Sequence, residues 1–357
     1  MVTDRDWRQL YAANQEAIRR SLRDGRVGRA DAPGSRPPGT RPGSAAGRVG
    51  SAGRSQMAAL VAPDTQGARS YRVHVPPGAD GPLPMVVVLH GCSQDAAAIA
   101  TGTRMNELAD SEGFLVVYPE QTSAANRSGC WNWFLPEHQR RDAGEPALIA
   151  GIARDVLAGA AGVTPDPRRV YLAGMSAGAA MASLVAAEYP ELIAALGLHS
   201  GVVYRAASTV SDAFAVLRRG ISDVEGSARK AYAGMADRAR VMPAVIFHGT
   251  EDRTVSVVNG DQSVRQWLAT DVLAAGGSLR ADPDRPTRVR QGRAPGGRSF
   301  TVRSWDDVTG RVVVEYWRID GMGHGWSGGS SAGSFTDRAG PDATAAMWQF
   351  FCTSARG

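Results

Sequence analysis

From about residue 65 onward, short continuous apolar runs alternate with segments of helical spacing. Residues 85–89 are apolar at every position, as a strand buried on both faces requires. Residues 113–118, 169–173, 194–199 and 244–248 follow the same pattern. Between them, residues 103–111, 146–158, 177–188 and 262–275 place their apolar side chains at helical intervals. This alternation predicts an α/β fold with a mostly parallel central sheet and helices on both faces. Residues 298–305 and 311–319 depart from it and read as two strands joined across 306–310, a hairpin at the sheet edge.

The first sixty residues look different. In residues 1–22, Trp7, Leu10, Tyr11, Ile18 and Leu22 fall near helical spacing, with Asp4 or Asp6 as the cap, which predicts a short amphipathic helix. Residues 23–60 are rich in Arg, Gly, Pro and Ser without periodicity and read as a disordered linker. Residues 61–357 are then one folded domain.

Composition narrows the function classes. An apolar fraction of 43% and a charged fraction of 21% are those of an ordinary globular protein. The net charge of +5 comes largely from the first fifty-odd residues, with no basic face carrying groove-reading or aromatic partners, so no nucleic-acid partner is expected. No run of about 18 apolar residues exists, so no membrane partner is expected either. The start lacks the apolar core of a secretory signal, which by itself points to the cytoplasm. Three cysteines are too few for a disulfide scaffold and lack zinc-ligand spacing. With no metal motif and no dinucleotide fingerprint, neither metal nor cofactor is expected.

The pentapeptide G-x-S-x-G occurs three times, around Ser176, Ser327 and Ser331. Its chemistry needs a strand, a sharp turn and a helix, which lift the serine oxygen clear of the backbone. Only Ser176 has that context, with the run 169–173 before it and the helical segment 177–188 after it. The other two sit in a Gly/Ser-rich stretch with no histidine downstream, and sites of this kind run nucleophile, acid, histidine along the chain.

That order leaves His199, His248 and His324 as bases. His199 and His248 end apolar strands, where a histidine is more often structural, whereas His324 lies in the flexible run Gly-Met-Gly-His-Gly-Trp. The acid should follow a late strand and accept the other imidazole N–H. Asp252, in Gly-Thr-Glu-Asp-Arg-Thr-Val after residues 244–248, fits that place. Glu251 is the neighbouring alternative, its side chain expected to point away, and Asp261 and Asp342 read as helix-start acids. Such a set performs covalent acyl transfer, and its oxyanion needs two preset backbone donors. One should be Ala177, the other the loop His90-Gly91-Cys92.

Several motifs in this order resemble bacterial polyhydroxybutyrate (PHB) depolymerase-type esterases. They are Leu89-His-Gly-Cys-Ser-Gln94, Tyr118-Pro-Glu-Gln121, Cys130-Trp-Asn-Trp-Phe134, Gly174-Met-Ser-Ala-Gly178, His199-Ser-Gly201, His248-Gly-Thr-Glu-Asp252, Gly321-Met-Gly-His-Gly-Trp326 and Gly340-Pro-Asp-Ala343. The resemblance covers roughly residues 65–352. It implies an α/β-hydrolase fold with Ser176, Asp252 and His324 as triad and the amides of Cys92 and Ala177 as oxyanion hole. It further implies a Cys92–Cys130 bridge, against the alternative of two free buried thiols, and an extracellular protein as the alternative to a cytoplasmic one. Trp131, Trp133 and Trp326 are candidate substrate contacts, with plain core packing as the other reading for the tryptophans; Cys352 reads as a buried thiol.

No leader, polymer-binding domain or sugar-binding module is recognisable in the chain. The expected substrate is therefore a small or oligomeric ester, such as a short 3-hydroxybutyrate oligomer. An acetyl xylan or feruloyl esterase acting on plant polysaccharide is the alternative. A catalytically silent hydrolase fold used for binding would require a broken triad, and all three members are present.

Overall fold

The computed structural model describes residues 53–61 and 68–356. The helix expected over residues 1–22, and most of the linker, lie outside the described residues. The boundary expected at residue 60/61 is not where the folded part begins, because Arg54–Val61 forms a strand, β1. It pairs antiparallel with β2 (Ala68–Val75), so the last residues of the expected linker belong to the sheet.

Among the described residues the sheet has ten strands in the order β1-β2-β4-β3-β5-β6-β7-β10-β9-β8, where β3 is Leu83–Leu89, β4 Leu115–Pro119, β5 Pro165–Met175, β6 Ala195–His199, β7 Ala244–Gly249, β8 Arg288–Arg293, β9 Ser299–Asp306 and β10 Val312–Ile319. The pairs from β4 through β3, β5, β6 and β7 to β10 are all parallel. The hairpin of β9 and β10 forms as expected, but it is not the edge. β10 lies inside the sheet against β7, and the largely exposed β8 closes that side. With β8 reading Arg-Val-Arg-Gln-Gly-Arg, no apolar run announces the strand.

Side chains alternate across β3 and divide the core in two. Val87 and Leu89 join one apolar cluster. It is covered by α3 (Gly144–Asp155), α4 (Ala177–Glu188), α5 (Val210–Arg219), α6 (Val224–Met235) and α7 (Val258–Ala274). Val86 and Val88 join the other, under α1 (Ala96–Thr103), α2 (Met105–Glu112) and α8 (Ala343–Cys352). The helix expected over 103–111 is α2, which starts at Met105 after a break at Arg104, where φ is 58°; α1 precedes it. Asp342 caps α8 by accepting from the Ala345 amide at 2.9 Å, and Asp261 stands in the first turn of α7. Cys352, expected to be buried, is exposed at the end of α8 because Phe350 and Phe351 take the inward positions.

Every residue of α4 is buried. A helix enclosed on all sides needs small apolar residues all round, and its sequence, Ala-Gly-Ala-Ala-Met-Ala-Ser-Leu-Val-Ala-Ala-Glu, supplies them. The approach is closest at Gly178, where any Cβ would overlap the carbonyls of Leu89 and His90 at the end of β3. These are backbone atoms and cannot rotate aside. Gly178→Ala is expected to cost about 1–3 kcal/mol or more, read as a fall in the urea midpoint of unfolding at unchanged slope.

Candidate active site

Ser176 sits on the turn from β5 into α4 with φ 56° and ψ −119°, a backbone state that non-glycine residues adopt only when their surroundings impose it. The imposing contacts are visible. The Ser176 amide donates to the His199 carbonyl at 2.9 Å, and the Ser176 carbonyl accepts from Ala180 at 3.0 Å. Ala177 is the first residue of α4, so its amide has no partner within the helix.

Asp252 and His324 are brought together from the loops that follow the adjacent parallel strands β7 and β10. His324 Nδ1 lies 2.7 Å from Asp252 Oδ2, and the Asp252 side chain is fully buried. Its other oxygen accepts from the amides of Thr254 at 2.9 Å and Val255 at 2.8 Å. Burial pushes the Asp252 carboxyl up. The charge and hydrogen bond of His324, the charge of His248 and the Val255 amide outweigh that and hold it below its ordinary value. An ionised Asp252 accepting from Nδ1 leaves Nε2 as the basic nitrogen of His324. Glu251 points to solvent, and its amide donates to the Met322 carbonyl at 3.0 Å, tying the acid's turn to the histidine's loop.

His199 joins the two halves. Besides accepting from Ser176 through its carbonyl, it accepts from the Ser327 amide at Nε2, 3.0 Å away, while Nδ1 meets the Ser200 hydroxyl at 3.1 Å. The serine turn and the loop carrying His324 thus hang on the same residue. His248 is only half satisfied: Nε2 donates to the Val255 carbonyl at 2.8 Å, and buried Nδ1 has no partner among the described residues. Its ring lies 3.6 Å from Asp252 Oδ2, a neighbour of the acid that the strand-end position alone did not reveal.

The loop after β3 abuts the serine, since a Cβ on Gly91 would lie 3.5 Å from Ser176 Cβ. The amides flanking Cys92 are engaged, Gly91 by Gln94 Oε1 at 3.0 Å and Ser93 by the Ser128 carbonyl at 2.8 Å. The Cys92 amide has no such acceptor among the described residues. Cys92 is bridged to Cys130. The His90 ring is pinned between the Gly91 carbonyl at 2.8 Å and the Gln121 amide at 3.1 Å. Buried Glu145 accepts from the Asn132 amide at 2.6 Å and its side chain at 2.8 Å, and from Gln121, which locks the loop behind.

The tryptophans fall on the core side of their two readings. Trp131 and Trp326 have at most 1% of their surface exposed, too little to touch a substrate. Trp131 braces the loop by donating to the His90 carbonyl at 3.1 Å. Trp326 stacks on His199 with centroids 5.1 Å apart and donates to Thr344 Oγ1 at 2.9 Å. Trp133 is also buried, packed edge-on against Phe134. Ser327, in the second G-x-S-x-G, is fully buried and donates to the Pro341 carbonyl. Gln94 was not expected: it holds Gly91 through Oε1 and the Ser334 carbonyl and hydroxyl through Nε2, both at 3.1 Å. Its only signal was its place in the run Leu89–Gln94. Among the described residues, no helix is long and apolar enough to cross a membrane, and no group of three or more His, Cys, Asp or Glu is placed to hold a metal ion.

Comparison with known proteins agrees with this architecture. The family model described as Esterase PHB depolymerase matches residues 69–289. Poly(3-hydroxyalkanoate) depolymerase C of Paucimonas lemoignei is 33% identical over 258 residues, 71% of this chain and 57% of that protein. The matched part is thus less than two thirds of that relative's length. Feruloyl esterase B of Thermothelomyces thermophilus is 30% identical over 205 residues, 55% of this chain and 68% of that one. Among solved structures, an acetyl xylan esterase from Aspergillus awamori superposes with a TM-score of 0.64 at 19% identity, covering 84% of this chain and 100% of that one. At that identity the likeness establishes the fold, an α/β-hydrolase.

The buried imidazoles give the site a pH signature in stability. Burial lowers His199 to about 3, and lowers His90 and His248 as well. Below about pH 6.5 the unfolded chain takes up protons that these folded imidazoles refuse, so stability is complete above that value and falls as pH drops. Each such group contributes on the order of 1.4 kcal/mol per pH unit until its folded pKa is reached. Buried Asp271, pushed well above its ordinary value, opposes them with the reverse sign. Urea unfolding at pH 7.5, 6 and 5 should therefore show a falling free energy, shallower in His199→Gln. A profile as steep in His199→Gln as in the wild type would mean that the His199 imidazole is protonated in the fold.

Proposed function

This chain belongs to the PHB depolymerase esterase family, and from that premise we propose that it hydrolyses carboxylic esters through an acyl-enzyme. Ser176 is the nucleophile, His324 the base and Asp252 the acid; the amides of Cys92 and Ala177 form the oxyanion hole. The observation that carries the reading is the 2.7 Å contact of His324 Nδ1 with a buried Asp252 whose second oxygen is already occupied by two amides. That arrangement fixes the tautomer, and with it the side of the ring from which a proton is taken.

In the first half-reaction Ser176 Oγ attacks the ester carbonyl carbon as His324 Nε2 takes its proton. The carbonyl oxygen becomes an oxyanion against the two amides. Collapse breaks the bond to the alcohol oxygen, which leaves with the proton from His324. Water then repeats the sequence on the acyl-enzyme and releases the acid and free Ser176. The donors are fixed before the charge develops, so little reorganisation is needed in the transition state.

The substrate is a small or oligomeric ester, with short 3-hydroxybutyrate oligomers first. The likeness to depolymerase C extends over more of the chain than that to feruloyl esterase B. Acetyl or feruloyl esters of polysaccharides are the second reading, supported by that relative and by the fold shared with the acetyl xylan esterase. The bridge of Cys92 to Cys130 favours an oxidising compartment over the cytoplasm.

Hydrolysis should be measured on p-nitrophenyl acetate, butyrate and octanoate, on 3-hydroxybutyrate dimer and trimer, and on methyl ferulate. Ser176→Ala should lower turnover by at least about 10⁴-fold, with the hydroxybutyrate oligomers preferred by the wild type. Preference for ferulate would select the second reading, and no turnover of any ester would end the proposal. Thiol titration of denatured, unreduced protein should find one free thiol, Cys352. Finding all three cysteines free would return the protein to the cytoplasm.

A further inference from the structure

The loop between His324 and α8 presents an aromatic ring that this chemistry leaves unused. Phe335 is half-buried and meets the His324 imidazole nearly edge-on, with ring centroids 6.4 Å apart and planes at 70°. Its backbone has φ 53°, in the left-handed region that a bulky side chain avoids unless held there. The holding contacts lie on both sides. Ser334 accepts from Gln94 Nε2 at its carbonyl and hydroxyl, both at 3.1 Å. The Phe335 carbonyl accepts from the Trp326 amide at 2.7 Å. Thr336 pairs with Trp326 across the small sheet of β11 (Trp326–Ser327) and β12 (Thr336–Asp337), and its hydroxyl donates to the Ser330 carbonyl at 2.7 Å. The ring is therefore kept beside the imidazole at the expense of backbone strain.

Its position has a chemical meaning once the direction of proton transfer is considered. The imidazole that takes the serine's proton delivers it to the departing alcohol oxygen, so that oxygen must lie against His324. Whatever is bonded to it lies against the neighbours of His324, while the carbonyl oxygen is turned toward Cys92 and Ala177. We propose that Phe335 forms the apolar wall of the leaving-group subsite, so that the protein favours esters of apolar alcohols over esters of polyhydroxylated ones. Gln94 gives this wall and the oxyanion loop a common support, because the side chain that holds Ser334 also holds Gly91. The inference rests on the esterase reading above and narrows the substrate class that this reading allows.

The test compares two ester series in the full chain. Benzyl acetate, butyl acetate and glyceryl monoacetate share an acyl group and differ in alcohol. p-Nitrophenyl acetate and butyrate share an alcohol and differ in acyl chain. Phe335→Gly removes the ring and suits the left-handed backbone; Phe335→Tyr keeps the ring. Burst titration with p-nitrophenyl acetate counts working sites, so rates per site can be compared even if part of a variant misfolds. In Phe335→Gly the kcat/KM ratio of benzyl acetate to glyceryl monoacetate should fall roughly five- to tenfold. Phe335→Tyr should retain the ratio, and butyrate-to-acetate preference should stay constant in both. An unaltered alcohol ratio in Phe335→Gly, or a shift in acyl preference instead, would overturn the inference while leaving the esterase standing. A wild type that turns over no ester removes both.

Discussion

The arrangement hangs on one buried, uncharged imidazole. His199 receives the Ser176 amide at its carbonyl and the Ser327 amide at its ring nitrogen, so the position of the nucleophile and the path of the base's loop are set by the same residue. Accepting from Ser327 requires a lone pair on Nε2. A proton there would set N–H against N–H in a place closed to bulk solvent. Burial lowers the group to about 3, which keeps the acceptor available at neutral and mildly acidic pH. Stacking of Trp326 on the ring supplies part of the dry surroundings that this requires. One choice of residue at the end of β6 thus couples packing, protonation state and geometry.

Preorganisation on the oxyanion side comes from many modest contacts acting on four residues. His90 is held at both ring nitrogens and at its carbonyl, Gly91 at its amide, Cys92 by a covalent bridge and Ser93 at its amide. A single neutral hydrogen bond contributes only about 1 kcal/mol net. Their combined effect is to remove alternative loop conformations, and a donor that need not reorganise when charge develops is worth about 100–1000-fold in rate. Glu145 shows why the anchoring segment, residues 120–145, has no helical or strand periodicity. Its carboxylate is buried among amides contributed by Gln121 and Asn132, and polar groups satisfied across a loop leave no periodic trace.

What was legible in the sequence followed from backbone physics. Strands buried on both faces must be apolar at every position, so β3, β4, β5, β6 and β7 were each visible, and α4 was found with its observed bounds. The pairing of His324 with Asp252 followed from chain order and loop chemistry. Elements at the periphery escaped because their sequences obey other constraints. β8, Arg-Val-Arg-Gln-Gly-Arg, is mostly exposed and has no apolar face to announce it, and β1, Arg-Ser-Gln-Met-Ala-Ala-Leu-Val, directly follows the linker and was counted with it. The tryptophans misled for a different reason. A large ring in a functional motif can touch the substrate or support the backbone that does, and only burial distinguishes these. Trp131 and Trp326 support.

The three copies of G-x-S-x-G make the same point about motifs. The pentapeptide permits a close backbone approach, and the surroundings decide what approaches. At Ser176 the approach is between α4 and the end of β3, and the serine on the turn stays half-buried. In the later copies it is between the loop and α1: a Cβ on Gly333 would overlap Gly102, and the Ser330 amide donates to the Gly102 carbonyl at 2.9 Å. There Ser327 is buried against Pro341 and Ser331 faces solvent. The glycines of that stretch serve to dock the segment carrying Phe335 onto the rest of the fold. The Gly/Ser-rich stretch is accordingly part of the site's architecture: its tight docking is what allows a strained aromatic residue to be held beside His324.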